Sequence, residues 1–353
     1  MHQTHLTEPQ GIIKNLIENS ISEKVFPGAV VCILTDKKVL YHEAFGYRWV
    51  KPKKLPMLRT TVFDLASLTK PIAIGTLCMQ FVERGKLSLD TPAEKYLPEF
   101  RHEGVTLKHL LTHTSGLPAW LPVYLRAPSR TDVISYLGDV PLETQPGKKV
   151  VYSCLGYIVL GTLFERVVGK SLDKLARDQI FAPLGMEWTR FNPPQAWREH
   201  CAATEDSNSF ERRMVNYERY DWREGVIIGQ VHDENAHFLG GVSGNAGLFS
   251  TAKDLSLFCR TLMDNGGGLL RSESLSTMQQ VASAEGERRG IGWVVTDDGC
   301  LYHTGFTGTS IRICLKRRLA AILLTNRVHP DADRRGIIEF RKIFHDIVFG
   351  GQL

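Results

Sequence analysis

"FDLASLTKPIAIGTLCMQFVERG" (residues 63–85) sets a hydroxyl and an amine three residues apart, just ahead of an amphipathic run. On a helix, residues i and i+3 share a face, so Ser67 and Lys70 are expected to be neighbours. Pro71 has no N–H to donate, which suits a first turn and places the helix start at Ser67. Ile74, Leu77, Cys78, Phe81 and Val82 then fall on one face, and Gly85 ends the run. The plain reading is that Ser67 caps this helix and Lys70 faces water. The chemical reading makes Ser67 a nucleophile. An alcohol needs a base, and a lysine serves only if burial or nearby positive charge lowers its pKa. Phe63, Leu65, Ala66 and Leu68 provide an apolar surround, and a helix N-terminus offers N–H groups to an oxyanion. Alone, Ser-x-x-Lys is a weak sign.

The rest of the chain narrows the choice. Its 353 residues are long for one core, which favours two packed regions. The 43% hydrophobic and 23% charged residues are the balance of a soluble globular protein. The net charge of +5 comes from scattered residues such as Lys51, Lys53, Arg59, Arg212 and Arg317, which argues against a nucleic-acid partner. Seven dispersed cysteines, odd in number and with no CxxC pair, argue against a disulfide framework and a zinc knuckle. "MHQTHLTEPQGIIKNLIENS" (1–20) has no uninterrupted apolar region and no cleavage site, and no stretch approaches the length of a membrane span. A reducing, cytoplasmic location is expected.

Residues 12–21 have helical periodicity, and "AVVCILTD" and "KVLYHEAFGYR" read as two strands joined at Asp36-Lys37-Lys38. Helices are expected over 106–112, 131–137, 155–168 and 172–180, followed by a polar, irregular excursion over about 187–238. "STAKDLSLFCRTLMDNGG" (250–267) reads as a helix with a Ser/Thr cap and an acidic first turn. "GIGWVV", "CLYHTGF", "SIRICLKR" and "LAAILLTNR" read as strands, and "GIIEFRKIFHDIVFG" as a closing amphipathic helix. Strands at both ends with helices between them predict an α+β fold, an α/β sandwich. Its antiparallel sheet is built from both termini, flanked by helices, and carries an inserted helical region. The expected division is a discontinuous sheet domain over 11–70 plus 239–353 and a helical domain over 71–238, with the site in the cleft between them.

Three further segments bear on Ser67: "LLTHTSGLPAW" (110–120), "GKKVVYSCLGYIVLG" (147–161) and "YHTGFTG" (302–308). Together with "SLTKP" they resemble the serine β-lactamase and penicillin-binding-protein superfamily. The likeness is to its class C-like branch, which includes D-alanyl-D-alanine peptidases and esterases and carries the ordered motifs S-x-x-K, Y-x-N and K/H-T-G. "GGVSGNAGLFSTAKDLSLF" (240–258) adds a further block, and the resemblance spans residues 20 to 345. It implies a cofactor-independent, metal-free serine hydrolase working through an acyl-enzyme on Ser67. Lys70 or Tyr152 would take the proton, with the Tyr152 phenol tuned by Lys70. The backbone N–H groups of Ser67 and Phe306 would form the oxyanion hole, and His303, Thr304 and Gly305 would line the opposite wall. His113 is read as architectural.

Two departures shift the substrate. The second motif is Tyr152-Ser153-Cys154, and a thiol is a poor substitute for an amide that holds an acylamido carbonyl. The third begins with His303 in place of lysine, a weaker anchor for a carboxylate. An esterase or amidase on a small substrate is therefore expected ahead of a β-lactamase or D-alanyl-D-alanine carboxypeptidase. A third reading keeps the fold as a binding or sensing protein without turnover. In "QVHDENAHFLGG" (230–241), His232 and His237 are five apart and miss the H-E-x-x-H spacing, so the stretch is read as a loop bordering the cleft. The resemblance implies that Asp233 or Asn235 contacts substrate there.

Overall fold

Ala29, Val31 and Ile33 alternate with Val30, Cys32 and Leu34 along strand Gly28–Thr35, and all six are buried. A strand apolar on both faces belongs at the centre of a sheet covered on both sides. The computed structural model, which describes residues 8–333 and 335–350, places it there. One antiparallel sheet runs Leu55–Pro56, Val39–Trp49, Gly28–Thr35, Leu319–Thr325, Ser310–Cys314, Leu301–Thr304, Val294–Val295. The N- and C-terminal strands meet at its middle, with Val30 opposite Leu324 and Cys32 opposite Ile322.

The period-2 alternation sorts the side chains into two layers. Ala29, Val31, Ile33, Ala321 and Leu323 pack with Ile13 and Ile17 of helix Glu8–Ser22 and with Phe340, Phe344 and Val348 of helix Ile337–Gly350. Val30, Cys32, Leu34, Ile322 and Leu324 face the other way, into a larger core. That core includes Leu255, Phe258 and Cys259 of helix Ala252–Met263 and the buried side of the 63–83 segment. Thr251 caps the Ala252–Met263 helix by accepting the Asp254 N–H at 3.2 Å, as its sequence predicts.

Three expectations change in detail. Ser67 does not open a regular α-helix. It lies in a 3-10 turn, Ala66–Leu68, which leads into a π-turn, Lys70–Gly75, and only then into helix Thr76–Glu83. "GIGWVV" contributes only Val294–Val295 to the sheet, because the residues before them turn. The 187–238 excursion is less irregular than expected, since Ala203–Asp206 pairs with Val226–Ile228 and Arg190–Phe191 joins a small sheet with Leu248–Ser250. Residues 1–7, part of the stretch inspected for a leader, lie outside the described residues. Among the described residues no helix is long and apolar enough to cross a membrane.

Candidate active site

The backbone sets Ser67 in place before any side chain does. Ala66 has φ +47°, a left-handed conformation that costs a non-glycine residue energy and needs outside support. Asp64 supplies it: the buried carboxylate accepts the Ala66 N–H at 2.8 Å and, through its other oxygen, the His232 N–H at 2.7 Å. From the sheet side, Gly305 packs so closely that a Cβ there would lie 2.4 Å from the Leu65 carbonyl and 2.2 Å from Thr309 Oγ1. Only glycine lets the end of strand Leu301–Thr304 lie against the Ser67 turn.

Lys70 is wholly buried, and its ammonium has three partners: Ser67 Oγ at 2.9 Å, the Asn245 carbonyl at 2.8 Å and Cys154 Sγ at 3.6 Å. Burial favours the neutral amine, but negative charge available on Cys154 and Tyr152, and then on Asp233, outweighs it. The Lys70 pKa is raised, not lowered as the sequence led us to expect. Burial pushes the Cys154 thiol up as well, so at neutral pH a neutral thiol faces Lys70. The Ser67 oxygen and the Asn245 carbonyl hold the Lys70 nitrogen from two further segments.

Tyr152 is half-buried, with Lys70 Nζ 5.2 Å from its ring centroid and the Arg289 guanidinium 4.9 Å away. His113 packs on the ring at 4.4 Å, and its Nδ1 accepts the Ser153 N–H at 3.0 Å, so this histidine orients the second motif. Its pKa is lowered by burial, Arg289 and Lys70. The same causes hold His303 neutral. His303 Nδ1 lies 2.8 Å from the Thr304 carbonyl, which can only accept, so Nδ1 carries the proton and Nε2 is a bare, unpartnered acceptor.

The structure thus brings Ser67, Lys70, Tyr152 and Cys154 together, and Thr304, Gly305 and Phe306 border Ser67. Two expected substrate contacts change role. His303 is 2% exposed and stands behind the wall that Thr304 and Gly305 present. Asn235 is fully buried, accepting the Val123 N–H and donating to the Leu121 carbonyl, which ties two segments together. Asp233 does line the cavity, and its Oδ1 accepts the Ala236 N–H. His232 and His237 form no metal-type pair, because His232 Nε2 is bound to Glu205 at 2.9 Å. Among the described residues, neither the Ser67 nor the Phe306 N–H donates to a protein acceptor.

Asp64, Asn245 and Arg289 were missed from sequence. Asn245 acts through its backbone carbonyl, which leaves no trace in residue type, and Arg289 lies in an unremarkable "GERRG". A separate hollow between Asp173, Arg177 and Arg190 shares no residue with this site.

A serine held by a buried lysine and faced by a tyrosine is the arrangement of a serine hydrolase. Residues 13–344 match the Beta-lactamase family, and the chain belongs to it. An Escherichia coli (strain K12) protein named "Putative D-alanyl-D-alanine carboxypeptidase" is 31% identical over 371 residues, covering 90% of this chain and 83% of that protein. A Bacillus subtilis (strain 168) "N-acetylmuramyl-L-alanine amidase" is 30% identical over 360 residues, covering 90% and 80%. The solved structure of EstCE1, "a hydrolase with promiscuous acyltransferase activity", superimposes with a TM-score of 0.78 at 24% identity, covering 97% of this chain and 98% of that one. A class C β-lactamase superimposes with the same TM-score, 0.78, at 18% identity over 100% and 99% of the chains. These two likenesses show the fold.

Proposed function

We propose that Ser67 is the acylated nucleophile of an esterase or amidase acting on a small substrate. The observation that carries this reading is the 2.9 Å contact between Ser67 Oγ and the buried Lys70 ammonium, with Tyr152 facing both. In this reading Tyr152 serves as the base, and Lys70 holds the Ser67 oxygen in place. Lys70 and Arg289 flank the Tyr152 ring. Ser67 Oγ bonds to the substrate carbonyl carbon as its proton passes to the Tyr152 oxygen. The resulting oxyanion is held by the Ser67 and Phe306 N–H groups. Tyr152 then returns the proton to the departing alcohol or amine as that bond breaks. Water releases the acyl group by the same route in reverse order.

Cys154, where related enzymes carry an amide side chain, disfavours acylamido substrates, so β-lactam hydrolysis and D-alanyl-D-alanine cleavage rank second. The names of the E. coli and B. subtilis relatives keep amides within the substrate class. Fluorophosphonate labelling followed by peptide mapping tests the nucleophile. Adduct on Ser67, absent in Ser67→Ala together with ester turnover, is expected, and a label elsewhere or undiminished turnover refutes it. A sensing role would leave an acyl-enzyme lasting hours, and intact-mass spectrometry showing release within minutes excludes it.

The seven cysteines are free thiols, which supports a reducing, cytoplasmic location. Recovery of the protein in a periplasmic or extracellular fraction would contradict that placement.

A further inference from the structure

The cavity that holds Ser67 and Tyr152 has an apolar wall that the acyl-transfer chemistry does not use. Its volume is ≈ 280 Å³, and Trp120, Phe210, Met214 and Phe306 line it. Close to Ser67 the lining side chains are small: Ala66, Cys154 and Ala246. Phe210 and Met214 are one turn apart on helix Ser209–Val215 and so share a face. Phe306 is fixed from three sides, by the Phe210 ring at 5.6 Å, the His232 ring at 5.6 Å and the Arg327 guanidinium at 4.5 Å. The polar groups of the lining are committed elsewhere. His232 Nε2 is bound to Glu205, Asp233 Oδ1 caps helix Glu234–Phe238, and the Tyr124 hydroxyl and the Glu234 N–H meet the Glu211 carboxyl. Met214 and Phe306 nevertheless stay 52% and 41% exposed, so the cavity leaves large apolar side chains in water.

We infer that this cavity receives the acyl chain of the substrate, so that the ester or amide cleaved at Ser67 carries an unbranched aliphatic acyl group of about six to eight carbons. The inference rests on the hydrolase reading of Ser67 and names the acyl group that site takes. An alkyl chain laid against Trp120, Phe210, Met214 and Phe306 removes their apolar surface from water and makes no demand on the committed polar groups. Cys154 sets the direction. It lines this cavity and stands where related enzymes carry the amide that holds an acylamido carbonyl, which puts the cavity on the acyl side of the bond to be broken. A neutral thiol offers such a carbonyl little, but gives an alkyl chain a soft apolar contact. The other cavity at Ser67 carries Arg327, Arg335 and Arg341, where an alkyl chain would take charged groups out of water. Volume sets the length. At roughly 30 Å³ for each water-sized group the space holds about nine, and a chain longer than about eight carbons passes Met214 into solvent.

p-Nitrophenyl esters from acetyl to decanoyl vary the acyl chain at a constant leaving group. kcat/KM is expected to rise by up to about fourfold for each methylene buried, to give a hexanoyl-to-acetyl ratio of about thirtyfold or more, and to level or fall beyond octanoyl. Alkyl acetates from methyl to hexyl, which carry the chain on the leaving group, should differ by less than about fivefold. Phe210→Ala and Met214→Gln should each lower the hexanoyl-to-acetyl ratio by about threefold or more. Met214 is exposed, so its variant stays informative if Phe210→Ala misfolds. A flat acyl series, a steeper rise among the alkyl acetates, or a ratio that survives both substitutions overturns the inference. Butan-2-one and octan-2-one carry the carbonyl and the chain without a leaving group, so calorimetric titration with them requires no turnover. Fluorophosphonate labelling of wild type scores the hydrolase reading separately. Label on Ser67 with a flat acyl series removes the inference alone. No label, with octan-2-one bound about thirtyfold or more tighter than butan-2-one, removes the hydrolase reading and leaves the cavity as the seat of an alkyl chain.

Discussion

Glu211→Gln isolates what a buried carboxyl beside Ser67 does to stability. Burial, then the charge of Asp233, pushes the Glu211 carboxyl from its ordinary 4.5 up to about 8. The folded chain holds this proton more tightly than the unfolded chain does. Its contribution is complete below the unfolded value of 4.5, declines as pH rises, and is lost above about 8. The interval between those two values, at about 1.4 kcal/mol per pKa unit, corresponds to about 5 kcal/mol. At 7% exposure, solvent screens little of this. Glutamine keeps the shape and polarity and cannot ionise. Urea melts of both proteins at about pH 5, 7 and 9 give the difference directly, because groups common to both cancel. The two should agree within about 1 kcal/mol at the acid end, and the variant should be more stable by about 3–5 kcal/mol at the alkaline end. Parallel stability profiles would show that the carboxyl is solvated or already paired, and the argument would fail.

Other outcomes follow from the same geometry. Tyr152→Phe removes the proposed base with little change of shape, and steady-state turnover of a p-nitrophenyl ester should fall roughly a hundredfold or more. A near-normal rate would return the base role to Lys70. Arg289→Met removes the guanidinium that packs 4.9 Å from the Tyr152 ring centroid, so turnover of the same ester should fall by roughly tenfold through loss of that contact. Unchanged turnover would mean that Tyr152 is held without Arg289. Cys154→Asn restores the amide that related enzymes carry, and nitrocefin acylation, followed by mass spectrometry, should increase. Efficient nitrocefin turnover by wild type would show that Cys154 was read wrongly. Gly305→Ala places a methyl 2.4 Å from the Leu65 carbonyl, so it should lower both the midpoint of thermal unfolding and the rate of Ser67 labelling. Retention of both would mean that the strand end and the Ser67 turn move independently.

Much of this architecture is legible in the sequence because it rests on local periodicity. The double-sided burial of residues 29–34 and 319–325 is written as continuous apolar runs, and a central strand is the environment that suits them. The pairing of chain ends follows from strands lying at both termini with helices between. Ser67, Lys70, Tyr152 and the His303-Thr304-Gly305 strand end are legible as residue types in a fixed order.

Tertiary structure alone decided the roles that depend on what lies across space. The setting of Lys70 is one. Burial by itself predicts a lowered pKa, but Cys154 and Tyr152, brought to Lys70 from far along the chain, raise it. The retreat of His303 behind its strand, the diversion of Asn235 into a structural tie and the placement of Arg289 over Tyr152 are others. Glu211 is the plainest case. In "SNSFERRMV" it is one charge among several on a short polar helix, and nothing local sets it apart. It becomes a buried carboxyl lining the same cavity as Ser67 only because the 187–238 excursion folds back onto that region. Burial and charge proximity are properties of the assembled surface, and they act through distances that sequence spacing does not encode.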